Sequence, residues 1–221
     1  MARHTMAQVL SAWEAVRAHV HTAPGVPAHL LVQAAQRLGR PLPEDVTDLY
    51  RASDGVRIGE EDLTLLPLLG DDETLGALEA ADQHRSWGWM IPPDLLVLGS
   101  DGSDELYGVW APRGTRRSLV VMVGDTLGEE PALAVVGTSL PSFLAAWTAY
   151  HLPAELGETA AVSVCLDQLQ VPEALREGES EFDEEHLHAL LGWASPDLPD
   201  PEPDPYARPV TTQVLDRMVR G

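Results

Sequence analysis

Apolar residues recur along the first 150 positions with two different periods, and the change of period separates helices from strands. Val9, Leu10, Trp13, Val16, Ala18 and Val20 follow helical spacing and predict an amphipathic first helix that stops before Pro24-Gly25. A second helix is predicted from His29 to Leu38, closed by Gly39. Pro41 and Pro43 hold the preceding residues extended. Pro43 then opens a helix whose first turn sets Glu44, Asp45 and Asp48 against the positive end of the helix dipole. Val46, Leu49 and Tyr50 form its apolar stripe, and Ser53-Asp54-Gly55 supplies the residues that end a helix and reverse a chain.

From Leu63 onward the pattern shortens. Leu63 to Leu69 (LTLLPLL) is a nearly continuous apolar run that suits a buried or edge strand. Asp71-Asp72-Glu73 is expected to cap a helix through Leu75, Leu78 and Ala81 toward Trp87. Leu95 to Leu98 and Leu106 to Trp110 read as partner strands. Ser118 to Val123 (SLVVMV) is the strongest β-run, and Leu133 to Val136 is one more strand. Ser139 and Pro141 open a helix with Phe143, Leu144, Trp147 and Tyr150 on its apolar side. Helices, then short strands with hairpin-like turns, then a helix predict an α+β fold: a largely antiparallel sheet with helices packed on one side.

The character changes beyond His151. Ala160 to Leu169 predicts a strand or a short helix, with Cys165 enclosed by apolar neighbours as a small buried hydrophobe. His186 to Ala194 predicts a helix with Leu187, Leu190, Leu191 and Trp193 on one face. Pro199 to Pro205 (PDPEPDP) reads as an extended acidic linker to a helical tail at Thr211 to Val219. The expected organisation is an α+β domain over residues 1–152, an acidic extension with a short helix over 153–196, and a linker and tail over 197–221 that folding does not need.

The order of these motifs resembles the SUKH superfamily, which groups bacterial toxin-immunity proteins with yeast cell-wall-assembly regulators. Leu42-Pro43 followed by a short acidic-apolar helix, Leu49-Tyr50 and a closing Asp54-Gly55 resembles the family's signature segment. Leu63 to Leu69 is similar to its first strand. Leu95 to Trp110, with Gly99, Asp101 and Tyr107 in place, is similar to its central hairpin, and Ser142-Phe143-Leu144 to its closing helix. The resemblance covers residues 7 to 152 and implies the same α+β architecture.

Charge alters the functional picture. The 221 residues are 44% hydrophobic and 22% charged, a globular composition, and the formal net charge is -21. The chain has no lysine, so its 14 basic residues are all arginine. Nucleic acid and anionic membranes are therefore poor partners, and a basic protein surface is a good one. Between Gly157 and Pro205 stand 13 acidic residues and one arginine. Glu177, Glu179, Glu181, Asp183, Glu184 and Glu185 crowd together there, either as a solvated face or as a partner contact. Gly99 to Glu105 lacks the ligand spacing of a calcium loop, so Asp101, Asp104 and Glu105 make an acidic hairpin turn. Trp87 and Trp89 are candidate interface anchors, or alternatively pack over the sheet edge.

No familiar catalytic motif is present. The chain has no G-x-S-x-G elbow, phosphate-cradling glycine loop, H-E-x-x-H or Cys-x-x-Cys. His19 and His21 would point to different helix faces, and Glu184, His186 and His188 make at most a weak metal pair, so no metal or cofactor is expected. The single cysteine, the lack of a hydrophobic signal core and the absence of an apolar run of about 20 residues fit a soluble cytoplasmic protein. The leading expectation is a non-enzymatic binding protein, an immunity protein that neutralises a basic toxin domain through an acidic surface, as the resemblance implies. The alternatives are a regulatory or scaffold module and a small-molecule enzyme without a recognisable motif.

Overall fold

Thr5 starts the first helix by a reciprocal cap: its side chain accepts from Gln8 N–H, while the Gln8 side chain accepts from Thr5 N–H. The computed structural model describes residues 4–58, 63–71, 74–88, 91–100, 106–112, 118–124, 133–157, 159–176, 184–197 and 212–220. Among them α1 (Met6–Ala15), α2 (Ala28–Leu38), α3 (Glu44–Ala52), α4 (Ala77–Ser86), α5 (Leu140–Leu156), α6 (Ala160–Leu169), α7 (Glu184–Ala194) and α8 (Thr212–Arg220) are helical. The strands are β1 (Val20–Thr22), β2 (Val56–Ile58), β3 (Leu63–Leu65), β4 (Leu95–Ser100), β5 (Leu106–Trp110), β6 (Leu119–Val123) and β7 (Leu133–Gly137).

All seven strands form one sheet in sequence order, and every neighbouring pair is antiparallel. Period-two alternation sends Leu96, Leu98, Tyr107, Val109, Val120 and Met122 to one face. Buried residues of α1, α2, α3, α5, α6 and α7 cover that face and form the main core with it. Leu95, Val97, Leu106, Trp110, Val121 and Val123 point the other way. Ala80 and Ala81 of α4 and Leu215 and Val219 of α8 join this second cluster. The α+β class and the antiparallel sheet are as expected, and the second face carries helices too, which is why β4, β5 and β6 read as continuous apolar runs.

Several local expectations change. The first helix ends at Val16, and Val20 leaves its helical register to pair with Ile58 in the sheet. Three-residue β2 carries too little periodicity to be read in advance. Of LTLLPLL only Leu63–Leu65 is strand, because Pro67 follows at once. Helix α4 begins after Gly76 rather than at the acidic triplet, and Asp71 instead accepts from Thr74 N–H at 2.7 Å in a turn.

Residues 160–169 resolve to helix. Thr159 accepts from Val162 N–H, and Val162, Cys165, Leu166 and Leu169 are buried in the main core. The expected boundary at 152/153 falls inside α5, and α7 packs against that helix through Leu190, Leu191 and Trp193. His4 is tied down at the far end of the chain: its Nε2 lies 3.0 Å from Leu169 O, and its ring meets Trp193 edge-on at 4.9 Å.

Burial pushes the Cys165 thiol up to about 12. The folded protein should therefore resist iodoacetamide at neutral pH and be alkylated only after denaturation, as read by mass spectrometry. Rapid labelling of the native chain would place the thiol in an exposed site. The sign for stability is set by the raised value: between about 9 and about 12 the unfolded chain loses this proton first, so stability should fall with rising pH.

Candidate interaction surface

The segment carrying the family-like signature is a structural hub. Tyr50 is fully buried, and its hydroxyl donates to Leu66 O at 3.0 Å. Burial, followed by the nearby Asp54 charge, raises its pKa above the ordinary phenol value, so it stays a neutral donor. Asp54 Oδ1 accepts from Leu68 N–H at 2.7 Å. Asp45 Oδ2 accepts from Leu140 N–H at 3.0 Å at the start of α5 and from the Ser118 hydroxyl at 3.4 Å. Ser53 accepts from Ala23 N–H and donates to Gly55 O. These side chains fasten α3 and the turn after it to the segments following β1 and β3 and to the start of α5.

The exposed surface offers a different set. Trp87 caps the C-terminus of α4 and is 61% exposed, with the His84 ring edge-on at 4.9 Å. Burial lowers the His84 pKa, which keeps that ring neutral. Arg85 pins this end of the helix, donating to Ile91 O and Pro92 O while pairing with Asp82. Trp87 therefore does not lie down over the sheet edge.

Glu185 is exposed on the first turn of α7, and the Glu184 backbone begins that helix. Glu177, Glu179, Glu181, Asp183, Asp101, Asp104, Glu105 and Trp89 lie outside the described residues. Helix α4 lies on β4, whereas α7 touches β7. Those strands are three spacings apart in the sheet, roughly 14 Å at the usual strand separation. Trp87 and the α7 acids thus belong to different parts of the surface rather than to one patch.

Arginine does little to offset the acidity. Arg37, Arg40, Arg51, Arg85, Arg176 and Arg220 each lie within 4.0 Å of a carboxylate of this chain. These six arginines are paired within the chain, and the formal net charge of -21 already counts all 14. Among the described residues no group of three or more His, Cys, Asp and Glu side chains converges as a metal would need, and no helix is long and apolar enough to cross a membrane.

One feature of this surface has no counterpart in the charge pattern. Helix α8 buries Leu215 and Val219 on the second sheet face, near which Trp110 Nε1 is buried. The three-and-four spacing of Leu215, Met218 and Val219 within TQVLDRMVR was the signal available for this seat.

A family model, SMI1 / KNR4 family (SUKH-1), matches residues 25–146, more than half of the chain. The match runs from the turn before α2 to the first half of α5 and takes in the whole signature hub. No curated protein matches the chain.

Proposed function

The chain belongs to the SMI1 / KNR4 family (SUKH-1), and from that premise we propose that it is a non-enzymatic protein-binding module, an immunity protein that occupies and neutralises a basic bacterial toxin domain in the cytoplasm. Family membership is the observation that carries the reading. The polar residues of the signature segment support it, because they are consumed in fastening elements together. The charge supplies the partner's chemistry. A chain of net charge -21 attracts a basic surface, and a nuclease-type toxin with a phosphate-binding cleft presents one.

The binding residues in this reading are the acids Glu177, Glu179, Glu181, Asp183, Glu184 and Glu185, the turn acids Asp101, Asp104 and Glu105, and the aromatic pair Trp87 and Trp89. The test is association kinetics against the partner captured by pull-down from the native cell. Raising salt to physiological strength, where the Debye length is about 8 Å, should slow association, and replacing Glu179, Glu181 and Glu184 by Gln should reproduce much of that slowing at low salt. Folding should be unharmed. An unchanged rate and salt slope in the triple variant would remove the acidic cluster from the interface.

A further inference from the structure

The 35 acidic residues are spread unevenly, and one long stretch has none. From Ala15 to Pro43 the chain carries three arginines and three histidines but no Asp or Glu. This stretch follows α1 and forms β1 and α2. Arg37 and Arg40 within it answer Glu79 and Asp94. Arg17 is exposed and has no carboxylate partner among the described residues. The same holds for Arg57 of β2, which stands directly opposite His21 of β1.

The register extends that pair into a row. His21, Arg57, Thr64 and Ser100 lie side by side across β1 to β4, so their side chains share the second face of the sheet. His21 and Arg57 are exposed, and Thr64 and Ser100 are half-buried. The row then passes to Leu106 and Val123, which pack with α4 and α8. Its polar half is left beside an open edge, because β1 is the first strand of the sheet and pairs with β2 alone. Val20 N–H turns away from β2 to reach Val16 O at 3.1 Å, and Ala23 N–H turns inward to Ser53 Oγ at 3.1 Å. Alternation along an antiparallel strand then points the N–H and C=O of Thr22 off the edge.

We infer that the β1 edge is a second docking surface, which takes an extended acidic segment of a partner protein as an added strand. The backbone of Thr22 supplies the pairing groups. An added residue opposite His21 stands about 5 Å from it, with Arg57 one strand spacing further and within reach of a long side chain. A carboxylate there meets the guanidinium that has no acid of its own, with no acid in the flanking stretch to repel it. At physiological salt, charges beyond about 8 Å are largely screened, so these nearby groups outweigh the net -21. The inference goes beyond the binding function proposed above and does not depend on it. Strands β1 and β7 are opposite edges of the sheet, six spacings or roughly 29 Å apart, and α7 with its exposed Glu185 packs at β7.

The probe is a short fluorescein-labelled peptide of alternating Glu and Val, read by anisotropy against the full-length protein at physiological salt. Its controls are the same peptide with Lys for Glu, the Glu peptide N-methylated on alternate residues, and a labelled oligothymidylate. The Glu peptide should bind, R57E should weaken it at least about tenfold, and R57K should keep most of the affinity. R217E makes the same change of net charge at an exposed arginine of α8 and should leave binding as it was. The N-methylated peptide should bind far more weakly, and hydrogen exchange should show the Thr22 amide gaining protection in the complex. No binding of the Glu peptide, equal losses in R57E and R217E, or full binding by the N-methylated peptide overturns the inference. So does tighter, Arg57-dependent binding of the Lys peptide or the oligothymidylate. None of these failures touches the acidic surface tested above, because Glu179, Glu181 and Glu184 are intact in every variant.

Discussion

Replacing Gly99 by alanine should lower the thermal midpoint by roughly 6–12 °C, since overpacking a closed seam costs about 3 kcal/mol and a chain of this size loses some 2–4 °C per kcal/mol. A Cβ at Gly99 would stand 1.9 Å from Thr64 O, 2.9 Å from its carbonyl carbon and 3.0 Å from Leu65 Cα. These are backbone atoms, so no side chain can rotate aside. Strands β3 and β4 are joined there through Thr64↔Ser100 and Leu65↔Gly99, and Leu66 N–H donates to Leu98 O at 2.7 Å. A register shift between Val97 and Gly99 on the β5 side fixes the strand from its other edge as well. Gly192→Ala is the control. Its Cβ would meet nothing within 4 Å, and alanine in the helix interior should be worth about 0.5–1 kcal/mol in the stabilising direction. A midpoint shift for Gly99→Ala as small as the control's would mean that the two strands part easily.

Tyr50 should show the other large effect. Truncation to alanine removes a fully buried ring and should destabilise by about 3–5 kcal/mol, whereas Tyr50→Phe keeps the ring, strands the Leu66 carbonyl and should cost about 1–3 kcal/mol. Chemical denaturation measures both. The sharper outcome concerns binding: if the signature segment is architecture, Tyr50→Phe lowers stability and leaves partner association unchanged at temperatures where it is folded. A Tyr50→Phe variant that folds as well as the parent yet loses its partner would move the interface to α3. Alkaline titration gives a second handle. The folded phenol ionises above its ordinary value, so above about pH 10 the unfolded chain alone releases this proton and stability should fall.

The signature helix, the central hairpin strands and the helix opening at Pro141 were legible because each carries both its periodicity and its boundary residues locally. The features that escaped are decided at a distance. Val20 continues the helical spacing of α1, yet Ile58, 38 positions away, claims it for the sheet. Gly76 rather than Asp71 starts α4. Its backbone lies against Gly70, where a Cβ would come within 2.1 Å of the Gly70 nitrogen, and sequence spacing carries no trace of that approach. Trp87 had two readings that hydrophobicity alone could not separate. Its 61% exposure follows from its place at the C-terminus of α4, beyond the last buried alanines. The tail composition argued against burial, and the three apolar side chains of α8 found a seat because the second sheet face was left open by the helices of the main core.

The strand order also bears on how the chain is made. Every strand pairs with the one just before or after it, so the sheet can assemble in chain order as the polypeptide leaves the ribosome, with α2 and α3 inserted between β1 and β2 and α4 between β3 and β4. The first helix is in the opposite position. Trp13 Nε1 donates to Thr148 Oγ1 across 135 residues, and His4 meets Leu169 across 165. At a synthesis rate of about 5–20 residues per second, α1 waits many seconds for these neighbours. Its apolar stripe of Met6, Val9 and Trp13 is open to nascent-chain chaperones in that interval, and substitutions there should reduce yield during synthesis before they alter the finished protein.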